Sequence, residues 1–461
     1  MKRFKYILTL VLTVLTASTC ARDHYVIPKG SDSVPTESRT VKIRRNADGQ
    51  WKLFVGDSPY YVNGAAAINF FTDVKKSGGN TIRVYSVRTE TYDIHEVMDN
   101  AYKAGLMVYL GLGMMAARYM DYSDAAKVAE QKELVMSYVR QYKNHPALLC
   151  WSVGNELESY NEDNIDLWKA IGDIVKSVHE LDSNHPVTCT LAGSSETRVK
   201  NLVQYAPDID FISINSYYNA VGNIWNNLQS HGVDLPYMVS EFGPRQYSNM
   251  APEPNRILPW PDYYSTDSQA VVEETSTEKE AIYQKIWEND IKPFEEKGCL
   301  GSFAFVWGYQ TSGKVLNWFS LFTPEHYAYG ACDALQKCWT GEYPSARAPK
   351  IESRNNMTMN GLTAEDAIKV AIGSSNQAKV VAQASTDIKL RYHWIIFRES
   401  SHKSDGSMPD GIEGLFTDDS TPEVSFKAPS TPGAYRLYVF VLDDVNKKAA
   451  SACIPFYAEG V

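Results

Sequence analysis

From residue 59 to residue 308 the chain alternates between two patterns. Short, almost unbroken apolar runs are separated by longer stretches in which apolar residues recur every three or four positions. The runs are "PYYVNGAA" (59–66), "NTIRVYSV" (80–87), "GLMVYLGLG" (105–113), "ALLCWSVGNE" (147–156), "PVTCTLAG" (186–193), "IDFISINSYY" (209–218), "LPYMVSEFG" (235–243) and "CLGSFAFVWG" (299–308). Among the intervening stretches, 92–104 carries Ile94, Val97, Met98 and Ala101 on one helical face. Residues 125–142 place Val128, Val135, Val139 and Tyr142 on one stripe, and 165–181 do so with Trp168, Ile171, Val175 and Val178. Further helices are expected over 197–205, 224–230, 277–296, with Pro293 bending the end, and 326–339. Strands buried on both faces, each followed by a helix, predict an α/β (β/α)8 TIM barrel over residues 41–345. A doubly wound open sheet is the alternative, but no glycine-rich dinucleotide turn follows the first run.

The pattern changes on both flanks. "VKIRRNADGQWKLFVGD" (41–57) alternates on either side of Asp48-Gly49, a hairpin signal. Beyond "GEYPSARAPKIES" (341–353) short alternating runs recur at 378–385, 388–397, 423–429, 434–444 and 449–453. They predict a small all-β, immunoglobulin-like sandwich over 350–461. Trp394 there is a core residue or a glycan contact. Residues 1–20, "MKRFKYILTLVLTVLTASTC", join a basic start (Lys2, Arg3, Lys5) to a short apolar stretch and small residues before Cys20. This reads as a secretory signal of lipoprotein type, with Cys20 lipidated and 21–40 a polar linker. The expected location is across the inner membrane, periplasmic or at the bacterial cell surface.

A net charge of −10 argues against nucleic acid or an anionic membrane as a main partner. Membrane contact is expected only through the lipid anchor, and no protein partner is predicted. Cys150, Cys189, Cys299, Cys332, Cys338 and Cys453 show no CxxC and no zinc-type spacing with histidine. No essential disulfide framework, metal or cofactor is expected.

In such a barrel, chemistry sits at the carboxyl ends of the strands. Those ends offer Arg83 on the second, Asn155 and Glu156 on the fourth, Asn215 and Tyr217 on the sixth, Glu241 on the seventh and Trp307 on the eighth. Alone, Asn155-Glu156 could cap a helix or form a salt bridge, and Arg83, Tyr217 and Trp307 could serve structure. A second glutamate at another strand end changes the weighing. Two carboxylates facing one mouth suit glycoside hydrolysis, one protonating the leaving oxygen and the other attacking carbon or activating water. The charge on one also raises the pKa of the other. The long stretch 244–275 holds Tyr247, Trp260, Tyr263 and Tyr264 and is expected to shape the subsites, as are Tyr119, Tyr122 and Trp318.

"WSVGNE" followed by "MVSEFG", with "YYVNGA", "NTIRVY" and "NSYY", resembles the retaining clan A glycoside hydrolases. The barrel is most similar to that of glycoside hydrolase family 2, the β-galactosidase and β-glucuronidase family, and also resembles the β-1,3-glucanosyltransferases. The resemblance covers residues 41 to about 345. It implies Glu156 as acid/base and Glu241 as nucleophile. Asn155 would hold the sugar 2-hydroxyl, and Arg83 would pair with Glu241 and keep it ionised. Tyr217 would bond Glu241, and Trp307 would floor the subsite. The expected function is a retaining β-glycosidase acting on plant or host glycans. Transglycosylation with the same glutamates is one alternative. A surface glycan-binding protein without turnover is another, disfavoured by the intact Asn155, Glu156 and Glu241.

Overall fold

The computed structural model describes residues 34, 37–246, 256–261, 269–310, 317–399 and 410–460. The leader with Cys20, most of the linker, and Tyr247, Tyr263 and Tyr264 lie outside the described residues.

Eight parallel strands close into a barrel: Val62–Ala66, Thr81–Val84, Met107–Gly111, Leu148–Asn155, Val187–Leu191, Phe211–Asn215, Tyr237–Phe242 and Cys299–Ala304. Each pairs with the next, and the eighth closes on the first through Gly301 to Val62 and Ala304 to Ala65. The expected helices form as Ile94–Lys103, Ala125–Tyr142, Ile165–Leu181, Glu196–Tyr205 and Ile224–Ser230, and a further short one, Phe71–Lys76, follows the first strand. Their starts are set locally. Asp93, Asp124, Asn164 and Ser195 each accept a backbone N–H of the first turn. The helix expected over 277–296 is regular only over Ser276–Ile286. It then widens into a π turn at Trp287–Ile291 and tightens at Lys292–Lys297, where Pro293 supplies no N–H to continue the ladder.

The floor of the barrel is apolar. Val62, Met107, Leu149, Phe211, Met238, Leu300 and Phe303 pack there with Val41 and Leu53. The latter two come from the predicted hairpin, Val41–Arg45 with Trp51–Val55, which is extended by Ser58–Tyr60. Higher up the filling turns polar. The Tyr109 hydroxyl bonds Thr190 Oγ1 at 2.8 Å and Ser213 Oγ at 3.0 Å. Polar side chains are thereby satisfied inside the barrel, and the layer above them can carry charge.

The second unit is a β-sandwich. One sheet orders Ala328–Tyr329, Lys448–Glu459, Gly433–Asp443 and Arg391–Arg398, with Lys369–Ala371 also paired to Lys448–Glu459. The other holds Met357–Met359, Ser375–Val380 and Glu423–Lys427. Trp394, Ile396, Leu437, Val439, Ile454, Val424 and Phe426 fill the space between them. Trp394 is therefore core, its indole N–H bonded to Thr421 O.

The division of the chain differs from the expected 41–345 and 350–461. The barrel unit ends at Gly243 and resumes for Lys285–Trp307, whereas Pro244–Gln284 and Gly308–Val461 form the sandwich unit. Two observations explain the shift. A ribbon of Ile257–Pro261 and Gln269–Val271 gives Leu258, Trp260 and Ala270 to the sandwich core. The last helix, Gly330–Thr340, buries Asp333, which pairs with Lys448 of the sandwich and accepts the Ala348 N–H at 2.7 Å. Local periodicity predicts the helix but not which core receives it.

The ends of the second and third strands approach closely because Gly111 has no side chain: a Cβ there would lie 1.9 Å from the Tyr85 carbonyl oxygen. Gly111→Ala must push these strand ends apart. It is expected to cost about 1–3 kcal/mol, read from the urea midpoint.

Candidate active site

Arg83 rises from the middle of the second strand and is 1% exposed. Its neighbours on the ring supply what a buried guanidinium needs. Nη1 donates to Glu241 Oε1 at 3.0 Å, to the Ser240 carbonyl at 2.7 Å and to Asn215 Oδ1 at 3.1 Å. Nη2 donates to Asn155 Oδ1 at 2.7 Å. The Tyr85 ring lies 4.2 Å from the guanidinium carbon. Burial opposes the charge on Arg83, but Tyr85, Glu241 and Tyr109 outweigh it and raise its pKa. One cation thus collects groups from the fourth, sixth and seventh strands.

Glu241 is 6% exposed. Besides Arg83, it accepts a short hydrogen bond from the Tyr217 hydroxyl. Burial, then the Glu241 charge, holds the Tyr217 phenol well above its usual range, so it remains a donor. Glu156 is held differently. Its Oε1 accepts from Asn215 Nδ2 at 2.8 Å, and no cation pairs with it among the described residues. Burial and then the charge on Glu241 push its carboxyl up to about 7. The backbone of Glu156 has φ 49°, a left-handed conformation unfavourable for a non-glycine residue. It is fixed by the Glu156 N–H on Thr190 O at 2.9 Å and by Ser159 Oγ on the Glu156 carbonyl at 2.5 Å. The two glutamates therefore sit in contrasting surroundings within one hydrogen-bonded set.

Of the residues read from the sequence, the structure brings Arg83, Asn155, Glu156, Asn215, Tyr217 and Glu241 together. Asn155 Oδ1 is shared by Arg83 and Asn215, the latter at 3.1 Å. Trp307 is buried just past the eighth strand, its backbone N–H on Ala66 O at 3.0 Å. Three expectations are corrected. Trp260, expected to shape a subsite, is 4% exposed and packs in the sandwich core against Tyr457. Trp318 is likewise buried in the sandwich unit, its indole N–H on Arg245 O at 2.8 Å. Tyr122 is buried and ties its own loop, bonding Met115 O and Gln131. Tyr119 stays on the surface beside Arg118.

Sequence reading passed over Tyr85 and Phe305. Tyr85 lies two residues after Arg83, so strand alternation turns both to the same side. Its hydroxyl is buried beside the Glu241 carboxylate. Burial and the Glu241 charge raise its pKa well above the ordinary value. Phe305 packs edge-on to both Tyr85 and Tyr217, at 6.3 and 6.1 Å between centroids. Glu158, two residues past Glu156, has a structural role: it accepts the Ala192 N–H and pairs with Arg198 at 3.2 Å.

Residues 80–251 match the model of the glycosyl hydrolases family 2 TIM barrel domain. The chain is similar to the beta-glucuronidase of Sus scrofa, 28% identical over 234 residues, which is 47% of this chain and 32% of that protein. It is also similar to the beta-glucuronidase of Paenibacillus borealis, 22% identical over 232 residues, 46% of this chain and 36% of that one. The match thus spans about a third of the length of these relatives. Among solved structures it is similar to a GH2 beta-galacturonidase from Eisenbergiella tayi bound to galacturonate. The TM-score is 0.48 at 12% identity, covering 66% of this chain and 55% of that one. The family 2 resemblance drawn from the motifs is matched over residues 80–251, which hold the second to seventh barrel strands.

The raised pKa of Glu156 has a consequence for stability. The folded chain binds this proton more tightly than the unfolded chain, whose value is the ordinary 4.5. The resulting stability is complete below pH 4.5 and is lost as pH rises through 7. Glu156→Gln removes the loss. Relative to the unmodified protein it should gain on the order of 3 kcal/mol between pH 4 and pH 8, read from urea midpoints at the two pH values.

Proposed function

We propose, from a barrel of the glycosyl hydrolase family 2 kind, that this protein is a retaining β-glycosidase in which Glu156 is the acid/base and Glu241 the nucleophile. The observation that carries the reading is the contrast between the two carboxyls. Glu241 is clamped by Arg83 and Tyr217, whereas Glu156 has a pKa of about 7 and holds a proton near neutrality.

In the first step Glu241 attacks the anomeric carbon while Glu156 gives its proton to the glycosidic oxygen, and the leaving alcohol departs. Forming the ester bond consumes the Glu241 charge. That charge is the second cause of the raised Glu156 pKa, so its loss lowers the pKa and favours the carboxylate just formed. Glu156 then takes a proton from water, the hydroxide attacks the same carbon, and Glu241 leaves. Two inversions retain the configuration. With its oxygen committed to Arg83 and Asn215, Asn155 has its amide N–H groups to offer a sugar hydroxyl. The names of the curated relatives make aryl β-glucuronides the first substrates to assay.

Glu241→Ala is expected to abolish turnover, with partial return in azide as the α-glycosyl azide; unchanged turnover would sink the assignment. Glu156→Gln should slow substrates with poor leaving groups by about 10²–10⁴-fold. In the unmodified enzyme kcat/KM should fall as pH rises through about 7, where Glu156 loses its proton.

The proposal extends to location. The basic start, short apolar stretch and Cys20 support a lipid-anchored protein exported across the inner membrane. Cys20→Ser should move the protein from the membrane to the soluble fraction and end fatty-acid labelling. A protein that is soluble with Cys20 intact would contradict the anchor.

A further inference from the structure

We propose that Arg118 recognises an anionic group, a carboxylate or a sulfate, on the leaving-group side of the mouth. The inference rests on the assignment of Glu156 as the acid. A proton donor abuts the glycosidic oxygen, so the departing sugar extends past it. Arg118 lies on that side. The Ala117 N–H bonds Leu157 O at 3.0 Å, and Leu157 directly follows Glu156. The loop that carries Arg118 is braced from behind, where the Met115 N–H donates to Gln131 Oε1 at 2.7 Å.

The guanidinium is held by two rings. Its carbon lies 4.5 Å from the centroid of Tyr119 and 4.5 Å from that of Tyr160. Tyr160 is 71% exposed and Tyr119 37%, unusual exposure for large side chains. Among the described residues Arg118 has no carboxylate partner, whereas the nearby Arg198 pairs with both Glu158 and Glu162. Ring faces attract a guanidinium and restrict its motion without neutralising its charge. The charged fork remains able to pair with two oxygens of a carboxylate or sulfate. In a chain of net charge −10, a cation with no carboxylate partner among the described residues, on a loop tied to the residue after the acid, gives an anionic leaving group a specific point of attraction.

The test compares three β-glycosides of one sugar, with 4-nitrophenyl, 4-carboxyphenyl and 4-sulfatophenyl leaving groups, in the unmodified protein and in Arg118→Ala. Leaving-group acidity cancels in the ratio between variants. Arg118→Ala should lower kcat/KM for an anionic leaving group about ten-fold more than for the neutral one, mainly through KM. A loss confined to the carboxyl arm points to uronate-bearing substrates, and one confined to the sulfate arm to sulfated sugars. Equal effects on all three overturn the proposal and leave the Arg118 pair of tyrosines as loop packing. Binding of the same glycosides to Glu241→Ala protein, with and without Arg118→Ala, reads the site without turnover. An unaltered preference there also overturns it. Failure of the catalytic assignment shows separately, as unimpaired turnover in the Glu241→Ala or Glu156→Gln variants.

Discussion

Burying a guanidinium costs several kcal/mol unless its donors are met. At Arg83 the Nη1 and Nη2 donors are met by Asn155, Asn215, Glu241 and the Ser240 carbonyl, which come from three other strands. Closure of the barrel is what brings these groups within reach, so the fold and the site share one requirement. The polar layer beneath, with Tyr109 between Thr190 and Ser213, lets the charge sit above an interior that is otherwise apolar at its floor. Through Asn215 the same network reaches Glu156, which receives a hydrogen bond but, among the described residues, no ion pair. Two identical side chains thereby acquire different surroundings from position alone.

Much of this arrangement is legible in the sequence, for identifiable reasons. Strands buried on both faces leave an apolar signature that needs no partner to be recognised. Helix starts coincide with side chains such as Asp124 and Asn164 that satisfy their own first turn. Because each strand end faces the mouth, polar residues after an apolar run, such as Asn155 and Glu241, announce themselves. Tyr85 did not, because a tyrosine in an apolar run reads as packing. Trp260 misleads for the opposite reason: an aromatic in a long, proline-rich stretch looks like a loop residue, yet its partners, Tyr457 and the sandwich core, lie far along the chain. Nothing local distinguishes one hydrophobic core from another. Arg118 is not legible either, because Tyr160, the second ring over it, lies 42 residues along the chain.

The left-handed backbone at Glu156 belongs to the same logic. An unfavourable conformation persists where surrounding bonds over-determine it, here the Thr190 carbonyl and the Ser159 hydroxyl. The turn thereby sets the direction in which the side chain leaves the backbone. The reach of Asn215 to it at 2.8 Å depends on that aim.

The order of segments along the chain carries a further consequence. The eighth barrel strand, Cys299–Ala304, is encoded between two pieces of the sandwich unit, Pro244–Gln284 and Gly308–Val461. No single cut therefore separates the units. A chain stopped after the barrel would carry Leu258, Trp260 and Ala270 with no core to enter, and one stopped earlier would lack the strand that closes the ring. During synthesis seven strands emerge and wait while the ribbon is made, and the ring can shut only once the eighth appears. The mouth of the barrel is consequently among the last parts of it to be completed.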